Sequence, residues 1–257
     1  QIWVPRVRRM YGNEFRREIM KEKELPIDRK KHLCYSKQAK RVLIEYIGKH
    51  SAKSNVIELW EKVQAKYIEF LRDLPYLGGS KCTHNGVGGT YDCIAIFSYY
   101  EVMNPKPSLE KLYEINKAIF LPSFSRMGAF LDMNYALFYR LMHVVFRITE
   151  KKDQKLQEEA PQGFIMSVAP FDKKKGIQYH FSQCPVANFA KKYGYTDLMP
   201  AFCNGDYDAM KMIHAALIRR HTCSNSDQCD YWIVGNKSKN AKEHPMLKDE
   251  KGYFYNS

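Results

Sequence analysis

Cysteine carries the most distinctive chemistry in this sequence, and it is concentrated in the last third of the chain. Cys184, Cys203, Cys223 and Cys229 all lie there, out of seven cysteines in total. A thiolate acts both as a nucleophile and as a metal ligand, so this group is consistent with covalent catalysis or with a metal site. An odd number of cysteines spread over 257 residues does not indicate a disulfide framework. We therefore expect reduced thiols and a cytoplasmic protein.

Cys184 is the first candidate nucleophile because of the residue that follows it. Pro185 fits the first position of a helix, which makes Cys184 the residue at the helix N-cap. Free backbone N–H groups and the positive end of the helix dipole favour a thiolate there, and they lower the pKa of a cysteine toward the reactive range. The alternative for Cys184 is a structural cap or a buried thiol packed against a sheet.

Cys203 and Asp206 form a Cys-x-x-Asp pattern, which places both side chains on one face if the segment is helical. Asp206 could then activate a water molecule or a thiol, or could bind a cationic substrate nitrogen through a charge-assisted hydrogen bond. The alternative for Asp206 is the N-cap of a helix that begins at Tyr207. His180 is a further candidate acid or base, and its alternative is a hydrogen-bonded histidine beside a strand.

A glycine-rich segment and an arginine pair supply the candidate substrate-binding groups. Five glycines fall within residues 78–89, which is typical of a loop where the backbone turns tightly or approaches a ligand closely. Arg219 and Arg220 follow one another on a predicted strand and therefore point to opposite faces, so one of them could clamp a carboxylate. The candidate substrate-binding residues are Gly78, Gly79, Asn85, Arg220 and Cys229.

These motifs resemble the L-2-amino-thiazoline-4-carboxylic acid hydrolase family. The likeness covers most of residues 60–235 and rests on short motifs. Two features beside the predicted site depart from the family pattern: the turn over residues 224–227 lacks the expected glycine, and Cys223 stands where an apolar residue is expected. The segments that carry the likeness are residues 76–79, 183–194, 198–206, 220–222 and 227–231.

The resemblance implies a bacterial-type enzyme that hydrolyses the C=N carbon of a small cyclic amidine. In the namesake substrate this reaction opens a thiazoline to an N-carbamoyl-cysteine. It implies thiol and carboxylate chemistry, a small-molecule substrate, and neither an organic cofactor nor a metal.

Two alternatives stay open. The first is a ligand-binding or sensor domain with a zinc site that includes Cys203, Cys223 and Cys229, which a fainter similarity to vinyl-reductase-type sensor domains suggests. The second is a lyase or another thiol-dependent enzyme on the same scaffold, because a fold does not determine its chemistry.

Charge and hydropathy limit the other partners. A formal net charge of +13 would suit nucleic acid. The basic residues of the first 50 positions alternate with acidic ones, however, which is typical of a solvated helical face, and no nucleic-acid motif accompanies them. No stretch approaches the length of an apolar membrane span. We therefore expect neither nucleic acid nor a membrane as a partner, while a homo-oligomer through the basic N-terminal helices stays open.

The apolar periodicity predicts an α+β fold, with an N-terminal helical part packed on a small C-terminal antiparallel sheet with crossover helices. Residues 1–160 form the mainly helical part, and residues 161–257 form the α+β part that carries the cysteine motifs, in one continuous globular unit. Helices are predicted over residues 6–23, 37–47, 55–71, 91–103, 109–120 and 184–193, with a long central helix over 126–157. Strands are predicted over residues 164–169, 177–182, 215–222 and 231–234. We expect Cys184, Cys203, Asp206 and Cys229 to meet at one cavity, which the loop over residues 78–90 also touches.

Overall fold

The computed structural model describes residues 25–257, which form nine α-helices and six β-strands. The helix predicted over residues 6–23 lies outside the described residues. The helices are α1 (Lys37–His50), α2 (Val56–Arg72), α3 (Thr90–Val102), α4 (Leu109–Gly128), α5 (Ala136–Leu156), α6 (Pro185–Tyr193), α7 (Pro200–Cys203), α8 (Gly205–Met212) and α9 (Lys239–Glu243). The strands are β1 (Ile165–Val168), β2 (Ile177–Gln183), β3 (Ala215–Ile218), β4 (Cys229–Gly235), β5 (Met246–Lys248) and β6 (Phe254–Asn256). The helical first part and the later antiparallel sheet confirm the predicted α+β class.

The helix ends follow the capping signals of the sequence. The Ser36 hydroxyl accepts a hydrogen bond from the Ala39 N–H at the start of α1, and the Ser108 hydroxyl accepts one from the Lys111 N–H at the start of α4. These bonds satisfy N–H groups that have no partner inside the helix. Cys184 is the N-cap of α6, as the following proline predicts.

The central helix of the fold is α3, which is buried from Thr90 to Tyr99. It packs against α1, α2, α4 and α6, and a helix that is covered on all sides needs apolar residues around its whole circumference. The core around it includes residues from both halves of the chain, from Tyr35 to Tyr253. Helix α3 directly follows the glycine-rich loop, so its buried first turn lies next to that loop.

The prediction of a long central helix over residues 126–157 is wrong. Helix α4 continues to Gly128, and the chain turns before α5 begins. A Cβ atom on Gly128 would lie 1.8 Å from the Met212 carbonyl oxygen, so the turn depends on close backbone contact that only glycine allows. Helix α5 then runs along the surface, where Leu137 and Leu141 are 72% and 52% exposed. Its apolar residues were therefore misinterpreted as core.

The sheet has the strand order β1-β2-β4-β3, and each neighbouring pair is antiparallel. Phe181 pairs with Cys229 and Tyr179 pairs with Tyr231, so these four side chains share the face that meets the helices. The predicted strands are confirmed, although β3 ends before Arg219.

Two further strands, β5 and β6, follow the four-stranded sheet and pair with each other, and they are not among the predicted strands. In β6, the Asn256 side chain accepts hydrogen bonds from the Arg219 N–H and from the Tyr207 hydroxyl. The end of the chain thereby fixes the backbone that carries Arg219.

Candidate active site

A cavity with two adjoining lobes lies between the helices and the inner face of the sheet. The smaller one, here called the thiol lobe, has a volume of about 150 Å³, and the larger one, the loop lobe, has a volume of about 450 Å³. Six residues line both lobes: Cys93, Phe164, Phe181, Val186, Asp206 and Tyr231. The size and the mainly apolar lining are suited to a small organic molecule.

The structure brings four of the predicted site residues to the thiol lobe, namely Cys184, Cys203, Asp206 and Cys229. Each comes from a different position in the fold: the start of α6, the end of α7, the first turn of α8 and the start of β4. Cys93 and Cys223 also line this lobe, so five thiols surround one small cavity. The catalytic roles assigned to these residues from the sequence stay predictions.

Asp206 has the best-defined position in the site. Its Oδ2 atom accepts hydrogen bonds from Arg219 Nη1 and from the Tyr231 hydroxyl, both at 2.7 Å. Its Oδ1 atom has no hydrogen-bond partner among residues 25–257, and one third of the side chain is exposed. Asp206 lies inside α8, whose N-cap is Asn204, so the capping alternative does not apply. One oxygen is thus fixed while the other is open to the cavity.

Arg219 holds Asp206 from behind and is almost completely buried, with 1% of its surface exposed. Its Nη2 atom donates to the Cys203 carbonyl oxygen at 2.7 Å, and its guanidinium lies over the rings of Tyr207 and Tyr231. A buried cation needs such a carboxylate and additional acceptors to offset its lost hydration. The Arg219–Asp206 pair therefore connects the segment directly after β3 with α7 and α8 in one fixed arrangement.

Arg220 and His180 do not reach this site, which corrects their assignment from the sequence. Both line a separate cavity of about 420 Å³ on the outer face of the sheet, together with Asp230 and Trp232. The reason is strand alternation: His180 lies between the inward-facing Tyr179 and Phe181, and Arg220 lies on the side opposite Arg219. Arg219 follows Leu217 by two residues, so both lie on the face that meets the helices.

Gly78, Gly79 and Asn85 line neither lobe. They stabilise the conformation of the loop and do not contact the cavity. The Asn85 side-chain amide donates to the carbonyl oxygens of Leu77 and Gly79 at 2.9 and 3.0 Å. Gly78 has a positive φ of 85°, and a Cβ atom there would lie 2.3 Å from Leu156 Cδ2. The loop residues that line the loop lobe are Thr83, His84, Gly86, Val87, Gly88, Gly89 and Thr90.

His84 and Asp153 form a pair that sequence reasoning missed. His84 Nε2 lies 2.8 Å from Asp153 Oδ2, and Asp153 is 2% exposed. The imidazole ring packs against Phe164 and Phe181, with ring centroids 4.7 and 5.1 Å away. Residue 153 is separated from the loop by two helices in sequence, so no local pattern indicates this contact.

Burial dominates the ionisation of the thiols. It raises the pKa of Cys184 to about 12, although the N–H groups of Ala187 and Val186 at the helix start act in the opposite direction. It likewise raises the pKa of Cys203 to about 12, against the opposing effect of the Arg219 guanidinium. The predicted lowering of the Cys184 pKa is therefore wrong, because the cost of burying a thiolate exceeds the benefit of the helix N-terminus. These thiols are protonated at neutral pH.

Within the described part of the chain, no three His, Cys, Asp or Glu side chains are arranged to hold a metal ion. The zinc alternative thus has no ligand set in residues 25–257. In the same residues, no helix combines the length and the hydropathy needed to cross a membrane.

Comparison with known proteins identifies a family. The family model described as L-2-amino-thiazoline-4-carboxylic acid hydrolase matches residues 93–233, which is more than half of the chain. This segment contains every residue that lines the thiol lobe, and it begins just after the loop and Thr90. No curated protein and no solved structure matches the chain.

Proposed function

The chain belongs to the L-2-amino-thiazoline-4-carboxylic acid hydrolase family, and we propose that it hydrolyses a small cyclic amidine-like substrate with Asp206 as the general base. The observation that carries this proposal is the asymmetric environment of Asp206. Arg219 and Tyr231 hold one carboxylate oxygen, while the other faces a cavity large enough for a substrate and a water molecule. A general base needs this combination of a fixed position and an accessible oxygen.

The reaction proposed for a 2-aminothiazoline-4-carboxylate-like substrate is addition of water followed by ring opening. The water oxygen forms a bond to the ring carbon between nitrogen and sulfur, and Asp206 takes a proton from that water. The former C=N nitrogen keeps the proton that it carried in the amidinium. The carbon–sulfur bond then breaks while the added hydroxyl becomes a carbonyl, and the leaving thiolate takes the hydroxyl proton. The proton held by Asp206 equals the excess proton of the amidinium and is released to solvent. The products are a free thiol and a carbamoyl group. Asp206 also balances the positive charge of the amidine before the attack.

Water is preferred over a cysteine as the nucleophile in this proposal. A cysteine attacks as a thiolate, and burial raises the pKa of both Cys184 and Cys203 to about 12. Direct attack by either thiol would first require removal of that proton in an apolar cavity. As neutral groups, the thiols instead supply a compact, polarizable wall for the ring sulfur.

The test is incubation of the protein with 2-aminothiazoline-4-carboxylate, with detection of the new thiol by a chromogenic disulfide and of the carbamoyl group by ¹³C NMR. Hydantoins and carbamoyl amino acids complete the substrate panel. We expect thiol and carbamoyl group to appear in equal amounts in the wild type. Intact-mass spectrometry during turnover separates the two nucleophiles, since attack by a cysteine leaves a covalent adduct on the protein. Turnover through such an adduct would overturn the role of Asp206 as base on water, and no turnover of any panel member would overturn the proposed function.

A further inference from the structure

The cavity has an evident partner for the substrate's amidine but no basic side chain for its carboxylate. Asp206 is the only carboxylate among the described residues that line either lobe, and no lysine or arginine of residues 25–257 lines them. A substrate that carries a carboxylate still needs hydrogen-bond donors at its anionic end. Those donors must therefore come from neutral groups or from His84.

We propose that the loop lobe contains a carboxylate subsite formed by Thr90 and the N-terminus of α3. Thr90 is completely buried, it lines the loop lobe, and its hydroxyl has no hydrogen-bond partner among the described residues. A buried hydroxyl without a partner destabilises the folded protein, because it loses its hydrogen bonds to water. Such a group is explained when a ligand completes its hydrogen bonding.

The backbone supplies the remaining donors. The N–H groups of Thr90, Tyr91 and Asp92 donate to no acceptor within residues 25–257, and no side chain caps this helix. Helix α3 spans thirteen residues, so its aligned peptide dipoles add a positive potential at this end. A carboxylate at this position would satisfy the Thr90 hydroxyl and the free N–H groups together.

Two glycines bring the loop backbone close to this helix end. Gly89 directly precedes α3, and a Cβ atom there would lie 2.1 Å from the His84 carbonyl oxygen. Gly88 has a positive φ of 78°, and a Cβ atom there would lie 2.2 Å from Phe120 Cβ. The two glycines thus let the backbone pass close to its neighbours, and both line the loop lobe together with Thr90.

The neighbouring acidic groups already have partners. The Asp92 carboxylate accepts hydrogen bonds from the Ser36 N–H, the Ser36 hydroxyl and the Gly88 N–H, and it lines neither lobe. The Asp153 carboxylate is paired with His84 on the wall of the loop lobe. Both carboxylates therefore accept hydrogen bonds from other groups, and neither lines the lobes.

The identity of the ligand in this subsite rests on the proposed function. Two substrates separate the role of the subsite from the role of Asp206. 2-Aminothiazoline-4-carboxylate carries the carboxylate, and 2-aminothiazoline lacks it. Thr90→Val keeps the shape of the side chain and removes the hydroxyl, whereas Thr90→Ser keeps the hydroxyl. We expect Thr90→Val to raise KM for the carboxylated substrate by about 10- to 100-fold, as for loss of a hydrogen bond to a charged group.

For 2-aminothiazoline, the same variant should stay within about twofold of the wild type in kcat/KM, and Thr90→Ser should resemble the wild type on both substrates. Thermal unfolding without ligand is the second readout: Thr90→Val should be at least as stable as the wild type, because it removes an unpaired buried hydroxyl. Equal effects on both substrates, or no effect on either, would overturn the subsite.

Failure of the proposed function is distinguishable from failure of the subsite. If the proposed function is wrong, the wild type hydrolyses neither compound. Isothermal titration calorimetry with the same two compounds then measures their binding and tests the subsite independently of hydrolysis. Binding of the carboxylated compound that is weakened in Thr90→Val would keep the subsite and discard the hydrolysis. Equal binding by the wild type and by Thr90→Val, or no binding of the carboxylated compound to the wild type, would discard the subsite.

Discussion

Replacing Asp206 with asparagine is the most informative single change in the proposed site. Asparagine keeps the shape of the side chain, and its amide oxygen can still accept from Arg219 and Tyr231, which now lie 2.7 Å from the carboxylate. The change removes the negative charge and the basic oxygen. Because general-base catalysis contributes about 10²- to 10⁴-fold in rate, we expect kcat to fall by at least about 100-fold.

The same substitution leaves the buried Arg219 without its counter-charge. Removal of one partner from a fully buried ion pair costs about 3–5 kcal/mol. Since one third of the Asp206 side chain is exposed, water reduces this cost, and the Cys203 carbonyl oxygen still accepts from the guanidinium. We therefore expect a loss of about 2 kcal/mol in the free energy of unfolding, an order-of-magnitude figure.

Two further variants separate catalysis from stability. Asp206→Asn combined with Arg219→Met removes both charges, so we expect it to recover part of the lost stability without recovering activity. Asp208→Asn is the matched control, because Asp208 lies on the same helix and is bonded to Tyr113 and Lys211 but lines neither lobe. Its activity should stay within about twofold of the wild type. Urea unfolding and steady-state kinetics provide the measurements. An Asp206→Asn variant with activity within threefold of the wild type would refute Asp206 as the base.

Three more predictions follow from the same geometry. Tyr231→Phe removes one of the two hydrogen bonds to Asp206, and we expect kcat to fall by about tenfold with little change in KM, which steady-state kinetics would show. Cys184→Ser should keep at least about a third of the wild-type kcat if water is the nucleophile, and a dead variant with an intact circular dichroism spectrum would instead identify Cys184 as the attacking group. Burial raises the pKa of Cys184 from 9.0 to about 12, so its contribution to stability is fully present below pH 9 and is lost as the pH rises toward 12. Thermal unfolding should therefore show a smaller loss of stability in Cys184→Ser than in the wild type over that range, and equal losses would contradict the assigned burial.

Helix starts could be predicted from the sequence where the residues that mark them lie within one helical turn. Capping serines at positions 36 and 108 and the Cys184-Pro185 step mark helix starts because each involves only residues within one turn. The sequence could not distinguish α5 from a central helix. An apolar helix can pack into a core or lie on the surface, and the close approach of Gly128 to Met212 decides this through a contact distant in sequence.

The same limit explains the errors in the candidate site. The choice between Arg219 and Arg220 depends on which face of the sheet meets the helices, and that is a tertiary property. The pKa of Cys184 depends on two opposing effects, the helix N-terminus and burial, and only the first can be predicted from a Cys-Pro motif. Thr90 and the pairing of His84 with Asp153 could not be predicted, because a glycine-rich loop is exposed by default, whereas this one folds inward through Asn85.

The arrangement of charge explains why protonated thiols suit the proposed reaction. Thiolates at Cys184 and Cys203 would place negative charge in the thiol lobe and would compete with Asp206 for the amidine. Burial keeps these thiols neutral, and Asp206 carries the only carboxylate that lines the lobes within the described residues. A substrate with a cationic amidine and a carboxylate would then bind in a single orientation, with the amidine at Asp206 and the carboxylate at Thr90. The ring carbon would lie beside the open oxygen of Asp206, where a water molecule can be deprotonated as it attacks.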